Sequence, residues 1–235
     1  MAGSITARKL TEMLTCLPSF PLFILYLSVV LSYRHWKRKV KPLNLSWLLP
    51  LHNVCCVSLS VVVSALFIYC LTFQASSLYG RDTYPLLTKC FLLYSFSKAF
   101  ELLDTVFMML RQKSRQISLL HVYHHSAMFL LSDCAYRYFA WPCVGFGLAV
   151  NSVVHIFVYS YYLASSYRPI GGRVKRLITE IQLAQFVLGL LFYIPGILWH
   201  GFCLYGLLFD LTMILLFGNF YYRAYCCSKP TLKAD

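Results

Sequence analysis

Charged residues are scarce in this chain, and acidic residues are the scarcest. Only 12% of its 235 residues are charged, with eight Asp and Glu against 21 Lys and Arg, whereas 59% are hydrophobic. A soluble domain keeps a largely polar surface, so this composition argues against most soluble classes of protein. It favours a chain that lies mainly within a membrane.

The sequence also lacks CxxC pairs, internal repeats and low-complexity tracts. Its ten cysteines are scattered, mostly within apolar stretches, which is typical of small core residues and not of a disulfide framework. No small-residue cleavage site follows a short apolar core near the N-terminus, so the first apolar stretch is expected to be retained. The simplest organisation is a single domain over residues 1–235.

Long apolar stretches account for most of the chain. A helix needs about 20 mostly apolar residues to cross a bilayer. Seven stretches approach this length: residues 16–33, 51–73, 86–110, 117–134, 141–163, 178–198 and 202–222. The sequence therefore predicts an all-α integral membrane protein with seven transmembrane helices. Little more than loops is left outside them, so any catalysis has to occur inside the bundle.

The basic residues are concentrated in alternate loops. They follow the first, third, fifth and seventh spans: Arg34, Lys37, Arg38, Lys39 and Lys41; Arg111, Lys113 and Arg115; Arg168, Arg173, Lys175 and Arg176; and Arg223, Lys229 and Lys233. The positive-inside rule then places the N-terminus outside the cytosol and the C-terminus inside it. Topology and contact with anionic lipid account for much of the net charge of +13, and nucleic acid is not expected as a partner.

Polar side chains recur at helical spacing inside four of the predicted spans. They are Lys98, Glu101, Asp104 and Thr105; His121, His124 and His125; Asn151, His155, Tyr159 and Tyr162; and Thr179, Gln182 and Gln185. Residues three and four positions apart share one face of a helix. Ionisable groups at membrane depth are costly, so these faces are expected to enclose a polar cavity. Asp210 in the seventh span has no predicted partner.

Charge pairing is expected within this set. Lys98 can pair with Glu101 or Asp104 on the same helix, which lowers the cost of inserting both charges. The remaining carboxylate can orient an imidazole on the next helix. Both groups also have a purely structural interpretation. The charged residues of the third span could only neutralise one another, and the amides of the sixth span could only form hydrogen bonds between helices. The other three histidines are expected to lie far from this cluster: His35, His52 and His200.

Six motifs occur in order along the chain. They are the Lys-Pro and His-Asn pairs of residues 41–53, KxxExxDT from Lys98 to Thr105, HxxHH from His121 to His125, NxxxHxxxYxYY from Asn151 to Tyr162, TxxQxxQ from Thr179 to Gln185, and Leu-Phe-Gly-Asn-Phe-Tyr-Tyr at residues 216–222. Together they resemble the ELO-type fatty acid elongases, which are membrane-embedded 3-ketoacyl-CoA synthases. The resemblance covers nearly the whole chain.

The resemblance implies a seven-helix enzyme of the endoplasmic reticulum membrane. Such an enzyme condenses a long-chain acyl-CoA with malonyl-CoA, releases carbon dioxide and CoA, and needs no cofactor and no metal. Separate reductases and a dehydratase would process the product. Residence in the endoplasmic reticulum rests on the resemblance, because Lys233 does not complete a dilysine signal. Acyl chain length and oligomeric state, including a homodimer, are left open.

The resemblance also implies roles for the four histidines. Because no cysteine stands near them, His124 is assigned as the nucleophile that forms an acyl-imidazole. His155, on the neighbouring span, would act as acid and base or contact the reacting carbonyl. His121 and His125 would fix the tautomer of His124 or polarise the malonyl carbonyl.

Other polar residues would support the histidines and the substrates. Glu101 and Asp104 would orient the imidazoles, while Lys98 neutralises these acids or contacts substrate. The residues assigned to substrate binding within the bundle are Asn151, Tyr159, Tyr162, Gln182 and Gln185. An acyl tunnel between the helices would hold the tail.

The phosphates of CoA require cations at the cytosolic mouth of the bundle. Two groups of basic residues qualify: Arg111, Lys113 and Arg115, and Arg173, Lys175 and Arg176. The second group is favoured over the first, with a purely topological role as the alternative.

Two other functions compete with elongation. HxxHH boxes also occur in membrane di-iron desaturases and hydroxylases, although the additional histidine boxes of those enzymes are absent here. Intramembrane Lys, Asp and His also build the relays of transporters. The sequence shows no internal repeat and no Gly/Pro-interrupted pair of spans of the kind that marks many transporters.

Overall fold

The computed structural model describes residues 6–202 and 204–227, which form helices and contain no strand. The α-helices are α1 Ala7–Thr15, α2 Phe20–Trp36, α3 Leu48–Tyr69, α4 Pro85–Glu101, α5 Leu103–Leu110, α6 Leu119–Tyr138, α7 Pro142–Tyr167, α8 Gly172–His200 and α9 Leu204–Tyr221. A π-helical segment, Cys70–Gln74, extends α3, and a second, Tyr222–Cys226, extends α9.

The helices divide into two compact units, Met1–Arg168 and Pro169–Asp235. In the first unit, α3 packs against α7 and α4, and α6 packs against α4 and α2. In the second unit, α8 packs against α9. That the two units make one domain stays a prediction.

Four helical stretches are long and apolar enough to cross a membrane. They are Leu48–Gln74, Pro142–Tyr167, Gly172–His200 and Leu204–Cys226. The pair α1 and α2, bent by 84°, supplies a fifth if it counts as one broken span. The protein is therefore an all-α, multi-pass membrane protein, as the composition predicts. The full count of seven spans stays a prediction.

The third predicted span, residues 86–110, is not one continuous helix. It breaks at Leu102, between α4 and α5. Leu102 N–H donates to the Ala99 carbonyl at 3.3 Å, and Thr105 N–H donates to the Leu102 carbonyl at 3.2 Å. These bonds span three residues instead of four and tighten the chain into a turn. As a result, Asp104 stands on a different helix from Lys98 and Glu101.

The loops after the first and third predicted spans meet at one end of the first unit. Leu43 N–H donates to the Leu110 carbonyl at 2.9 Å. The amide of Gln112 donates to the carbonyl oxygens of Lys37, at 3.0 Å, and Val40, at 2.5 Å. Both loops are basic, so the structure brings together the positive charges that the topology prediction assigned to one side.

The loop after the second predicted span meets the start of α7, which follows the loop after the fourth predicted span. Cys143 N–H donates to the Gly80 carbonyl at 3.4 Å, and the Arg81 guanidinium lies 5.4 Å from the ring centre of Trp141. Because α3 separates this contact from the basic loops, the two lie at opposite ends of the first unit. This arrangement agrees with the alternation of charge along the chain.

Glycines shape the second unit. Gly201 ends α8 with a φ of 65°, a left-handed conformation that favours glycine. Where α8 packs on α9, the backbone of Gly189 lies against the carboxylate of Asp210, so closely that a methyl group there would overlap Oδ2. Asp210 is buried, and Oδ2 has no hydrogen-bond partner in the part of the chain that the structure describes.

Candidate active site

The three histidines of the HxxHH box share one face of α6. The helix begins at a serine cap: the hydroxyl of Ser118 accepts a hydrogen bond from the backbone N–H of His121 at 3.2 Å. The ring centres of His121 and His125 lie 4.3 Å apart, and those of His124 and His125 lie 5.3 Å apart. His124 is the most buried of the three. The predicted convergence of the box is confirmed.

A buried charge pair on α4 holds a fourth histidine. Lys98 Nζ donates to both carboxylate oxygens of Glu101, at 2.8 and 3.0 Å, which confirms the predicted ion pair. Nδ1 of His155, on α7, lies 3.2 Å from Lys98 Nζ and 3.2 Å from Glu101 Oε1. All three residues are at least 95% buried. Nδ1 can accept from the ammonium or donate to the carboxylate, so this pair controls the tautomer of His155.

Helices α6 and α7 bring the fourth histidine to the box. The ring centre of His155 lies 6.1 Å from that of His124 and 5.7 Å from that of Tyr159. Four imidazoles and a phenol therefore line one buried region of the first unit. At this distance a nucleophile at His124 and an acid–base group at His155 can both contact a substrate carbonyl bound between them.

Asp104 is held by two side chains from other helices. His52 Nε2, on α3, lies 2.9 Å from Asp104 Oδ1, and the hydroxyl of Tyr159 donates to Asp104 Oδ2 at 2.6 Å. The expectation that His52 lies far from the cluster is therefore wrong. The turn at Leu102 and the packing of α3 on α7 bring His52 and Asp104 together. The His-Asn pair in the first motif was the only signal in the sequence that could have found it.

The hydroxyl of Thr105 ties the box to α2. It lies 2.8 Å from His121 Nε2 and 2.9 Å from the hydroxyl of Tyr26. Thr105 is fully buried. A neutral hydroxyl, which can both donate and accept, therefore holds Nε2 of His121.

Asn151 lies behind the charge pair. The hydroxyl of Tyr94 donates to Asn151 Oδ1 at 2.8 Å, and Lys98 Nζ lies 4.9 Å from the ring centre of Tyr94. Tyr94 thus links Asn151 to Lys98 across two helices. Tyr162 lies further along α7, with its ring centre 5.8 Å from that of Tyr159, and is 37% exposed.

The remaining candidates of the sixth span belong to the second unit. Gln182 and Gln185 are half-buried on α8, and the hydroxyl of Thr179 lies 3.3 Å from that of Tyr225. Because Gln182 and Gln185 belong to the second unit, the structure does not place them relative to the histidines of the first unit.

The two basic groups differ in their surroundings. Arg173 and Lys175 are exposed at the start of α8. Arg176 is exposed as well, but its Nε donates to Glu180 Oε1 at 2.8 Å, and its guanidinium lies 5.5 Å from the ring centre of Tyr221. In the first unit, Lys113 and Arg115 are exposed and Arg111 is half-buried.

Within residues 6–202 and 204–227, no group of three His, Cys, Asp or Glu side chains is arranged to hold a metal ion. The absence of a metal from the reaction stays a prediction. The site as described combines buried imidazoles, two carboxylates and one ammonium, a set suited to nucleophilic and acid–base chemistry.

Comparison with known proteins gives consistent matches along the chain. A family model described as "ELO: GNS1/SUR4 family" matches residues 11–233. The chain is 34% identical over 232 residues to "Very long chain fatty acid elongase 2" of Mus musculus, covering 92% of this chain and 78% of that protein. It is 29% identical over 235 residues to "Very long chain fatty acid elongase 5" of Homo sapiens, covering 89% and 74%.

Proposed function

This chain belongs to the ELO family, and we propose that it condenses an acyl-CoA with malonyl-CoA to give a 3-ketoacyl-CoA, carbon dioxide and CoA. It is a fatty acid elongase, an acyltransferase that lengthens the acyl chain by two carbons in each cycle. The observation that carries the proposed reaction is the gathering of His121, His124, His125 and His155 in one buried region, beside the Lys98–Glu101 pair.

The first half of the reaction transfers the acyl group to His124. A nitrogen of the neutral imidazole attacks the thioester carbonyl carbon, and the carbon–sulfur bond breaks to release CoA thiolate. The other ring nitrogen gives up its proton, and the thiolate takes one. His155 lies near enough to move this proton, since its ring centre is 6.1 Å from that of His124. The acyl group stays activated because imidazole is a good leaving group.

The second half forms the new carbon–carbon bond. The bond from the malonyl methylene carbon to its carboxylate breaks, carbon dioxide leaves, and the electron pair remains as the enolate of the CoA thioester. Hydrogen-bond donors that meet this charge stabilise the transition state, a role that suits His121 and His125. The enolate carbon then attacks the acyl carbonyl and breaks its bond to the His124 nitrogen, and the displaced imidazole takes up one proton from solvent, which restores the neutral ring. Burial of the site keeps water from the acyl-imidazole.

The charge pattern supports the orientation in the membrane, and membership of the ELO family supports residence in the endoplasmic reticulum. The chain crosses the bilayer seven times in the endoplasmic reticulum, with the N-terminus in the lumen and the basic loops and C-terminus in the cytosol. The meeting of the two basic loops that follow the first and third predicted spans supports this topology. Arg173 and Lys175, which are exposed, bind the phosphates of CoA, and the acyl tail occupies a tunnel between the helices. Reductases and a dehydratase of the same membrane consume the product.

The test supplies the purified chain, in detergent, with acyl-CoAs of graded length and labelled malonyl-CoA. The proposal predicts labelled 3-ketoacyl-CoA and malonyl-dependent release of carbon dioxide, both lost in His124→Ala. A matched control is His35→Ala, which removes an exposed histidine outside the cluster and retains activity. A wild-type chain that extends no acyl-CoA, or an active His124→Ala chain, would contradict the proposal.

A further inference from the structure

We propose that His52 is a positioning residue of the condensation reaction: through Asp104 it fixes the hydroxyl of Tyr159 beside the catalytic histidines. This inference rests on the proposed function and deepens it. The sequence assigned no role to His52. In the structure its ring is buried and contacts the carboxylate of Asp104.

The carboxylate of Asp104 receives one donor on each oxygen. His52 Nε2 lies 2.9 Å from Oδ1, and the hydroxyl of Tyr159 donates to Oδ2 at 2.6 Å. A carboxylate with one partner on each oxygen is held in a fixed orientation. Because a carboxylate oxygen is an acceptor, this contact is made when Nε2 of His52 carries a proton, and Nδ1 is then the nitrogen that makes no contact among the described residues.

The ring of His52 is enclosed at the break between α4 and α5. Its centre lies 4.8 Å from that of Phe100, which precedes the turn at Leu102, and 5.1 Å from that of Phe107, which follows it. The residue is 97% buried, and no described residue bonds to Nδ1. A buried polar nitrogen without a partner costs free energy. A leucine or phenylalanine would fill the same space without that cost, so packing alone does not account for a histidine at this position.

The arrangement determines what Tyr159 can do. Because its proton is directed to Asp104, the phenol oxygen offers lone pairs to the site and serves as a hydrogen-bond acceptor. The ring centre of Tyr159 lies 5.7 Å from that of His155. Removing His52 takes away one of the two donors to Asp104, so the carboxylate can rotate and the hydroxyl of Tyr159 loses its fixed direction. The chemical step then slows, while binding of the acyl chain is left intact.

The test compares two amide substitutions of similar polarity. In His52→Gln the side-chain nitrogen reaches the position of Nε2 and can donate to Asp104. In His52→Asn the shorter side chain places its nitrogen near the position of Nδ1, and the contact is lost. We expect His52→Gln to keep kcat near the wild-type value and His52→Asn to lower kcat about 10- to 100-fold. KM for acyl-CoA should change little in either variant.

A double-variant cycle tests whether the effect passes through Asp104. If His52 acts on Tyr159, then adding His52→Asn to Tyr159→Phe should lower kcat no further than Tyr159→Phe alone. Equal kcat values for His52→Gln and His52→Asn, or independent losses that multiply in the double variant, would overturn the inference. An inactive wild-type chain would overturn the proposed function as well, so the two failures are distinguishable.

Discussion

Lys98 Nζ lies 3.2 Å from Nδ1 of His155, although 57 residues separate them along the chain. The contact joins α4 to α7 inside the first unit and places a charge pair directly behind an imidazole of the site. Glu101 completes the arrangement, because its Oε1 lies within 3.2 Å of both partners. Charges at this depth are retained only where they are paired, and here the pair also controls the state of a histidine.

Breaking this pair should destabilise the protein strongly. Glu101→Gln leaves the Lys98 ammonium without its buried counterion, and we expect a loss of about 3–5 kcal/mol. Lys98→Met combined with Glu101→Leu removes both charges and should recover most of that loss. Thermal unfolding in detergent measures the effect. The exposed Arg8–Glu12 pair is the control: Arg8→Met should cost at most about 1 kcal/mol. Equal losses from Glu101→Gln and Arg8→Met would contradict the assignment.

Oxidation should join α3 and α4 through a single pair of thiols. Cys70 Sγ lies 3.7 Å from Cys90 Sγ, and both side chains are fully buried. A small membrane-permeant oxidant should therefore produce a peptide linked between these positions, detected by mass spectrometry without reduction. Cys90→Ala removes the linked peptide and serves as the control. Linkage of Cys70 to another cysteine would show that the two helices pack differently.

The face shared by the histidines of the box could be predicted from the sequence, because a helix repeats every 3.6 residues and the spacing of His121, His124 and His125 follows that repeat. The same repeat predicted one continuous helix from Lys98 to Asp104, which is wrong. No glycine or proline marks the break at Leu102, so the turn has no local signal in the sequence.

The spacing of residues along the sequence could not predict contacts between helices that are distant in the chain. His52 and Asp104 are 52 residues apart, and the turn at Leu102 together with the packing of α3 against α7 and α4 brings them together. Asp210 is a similar case, because its position against Gly189 depends on how α8 meets α9. The ion pair of Lys98 with Glu101 was predictable, since both stand on one helix three positions apart.

The close approach of α8 and α9 gives a prediction for the second unit. Gly189→Ala places a methyl group on the carboxylate of Asp210, so we expect a loss of about 1–3 kcal/mol in the free energy of unfolding. Gly218→Ala, on α9, meets nothing within 4 Å and should be neutral or slightly stabilising. Thermal unfolding of the two variants compares them directly. A Gly189→Ala chain as stable as Gly218→Ala would show that the carboxylate of Asp210 does not lie fixed against Gly189.

The exposed basic residues of α8 give a prediction for CoA binding. Replacing Arg173 and Lys175 together with alanine should raise KM for acyl-CoA about tenfold with little change in kcat, because phosphate contacts are made equally in the ground and transition states. Steady-state kinetics at several salt concentrations measure the effect. The control replaces Arg38 and Lys39, which are exposed in another basic loop. The same rise in KM for both double variants would indicate a general effect of surface charge.

Covalent acylation of His124 is the central claim, and mass spectrometry tests it most directly. The purified chain is incubated with acyl-CoA alone, quenched in acid and digested. The account predicts release of CoA without malonyl-CoA, together with an acyl adduct on the peptide that contains His124 and no adduct in His124→Ala. An intact pool of acyl-CoA with an unmodified peptide, from a preparation that elongates when malonyl-CoA is added, would contradict it.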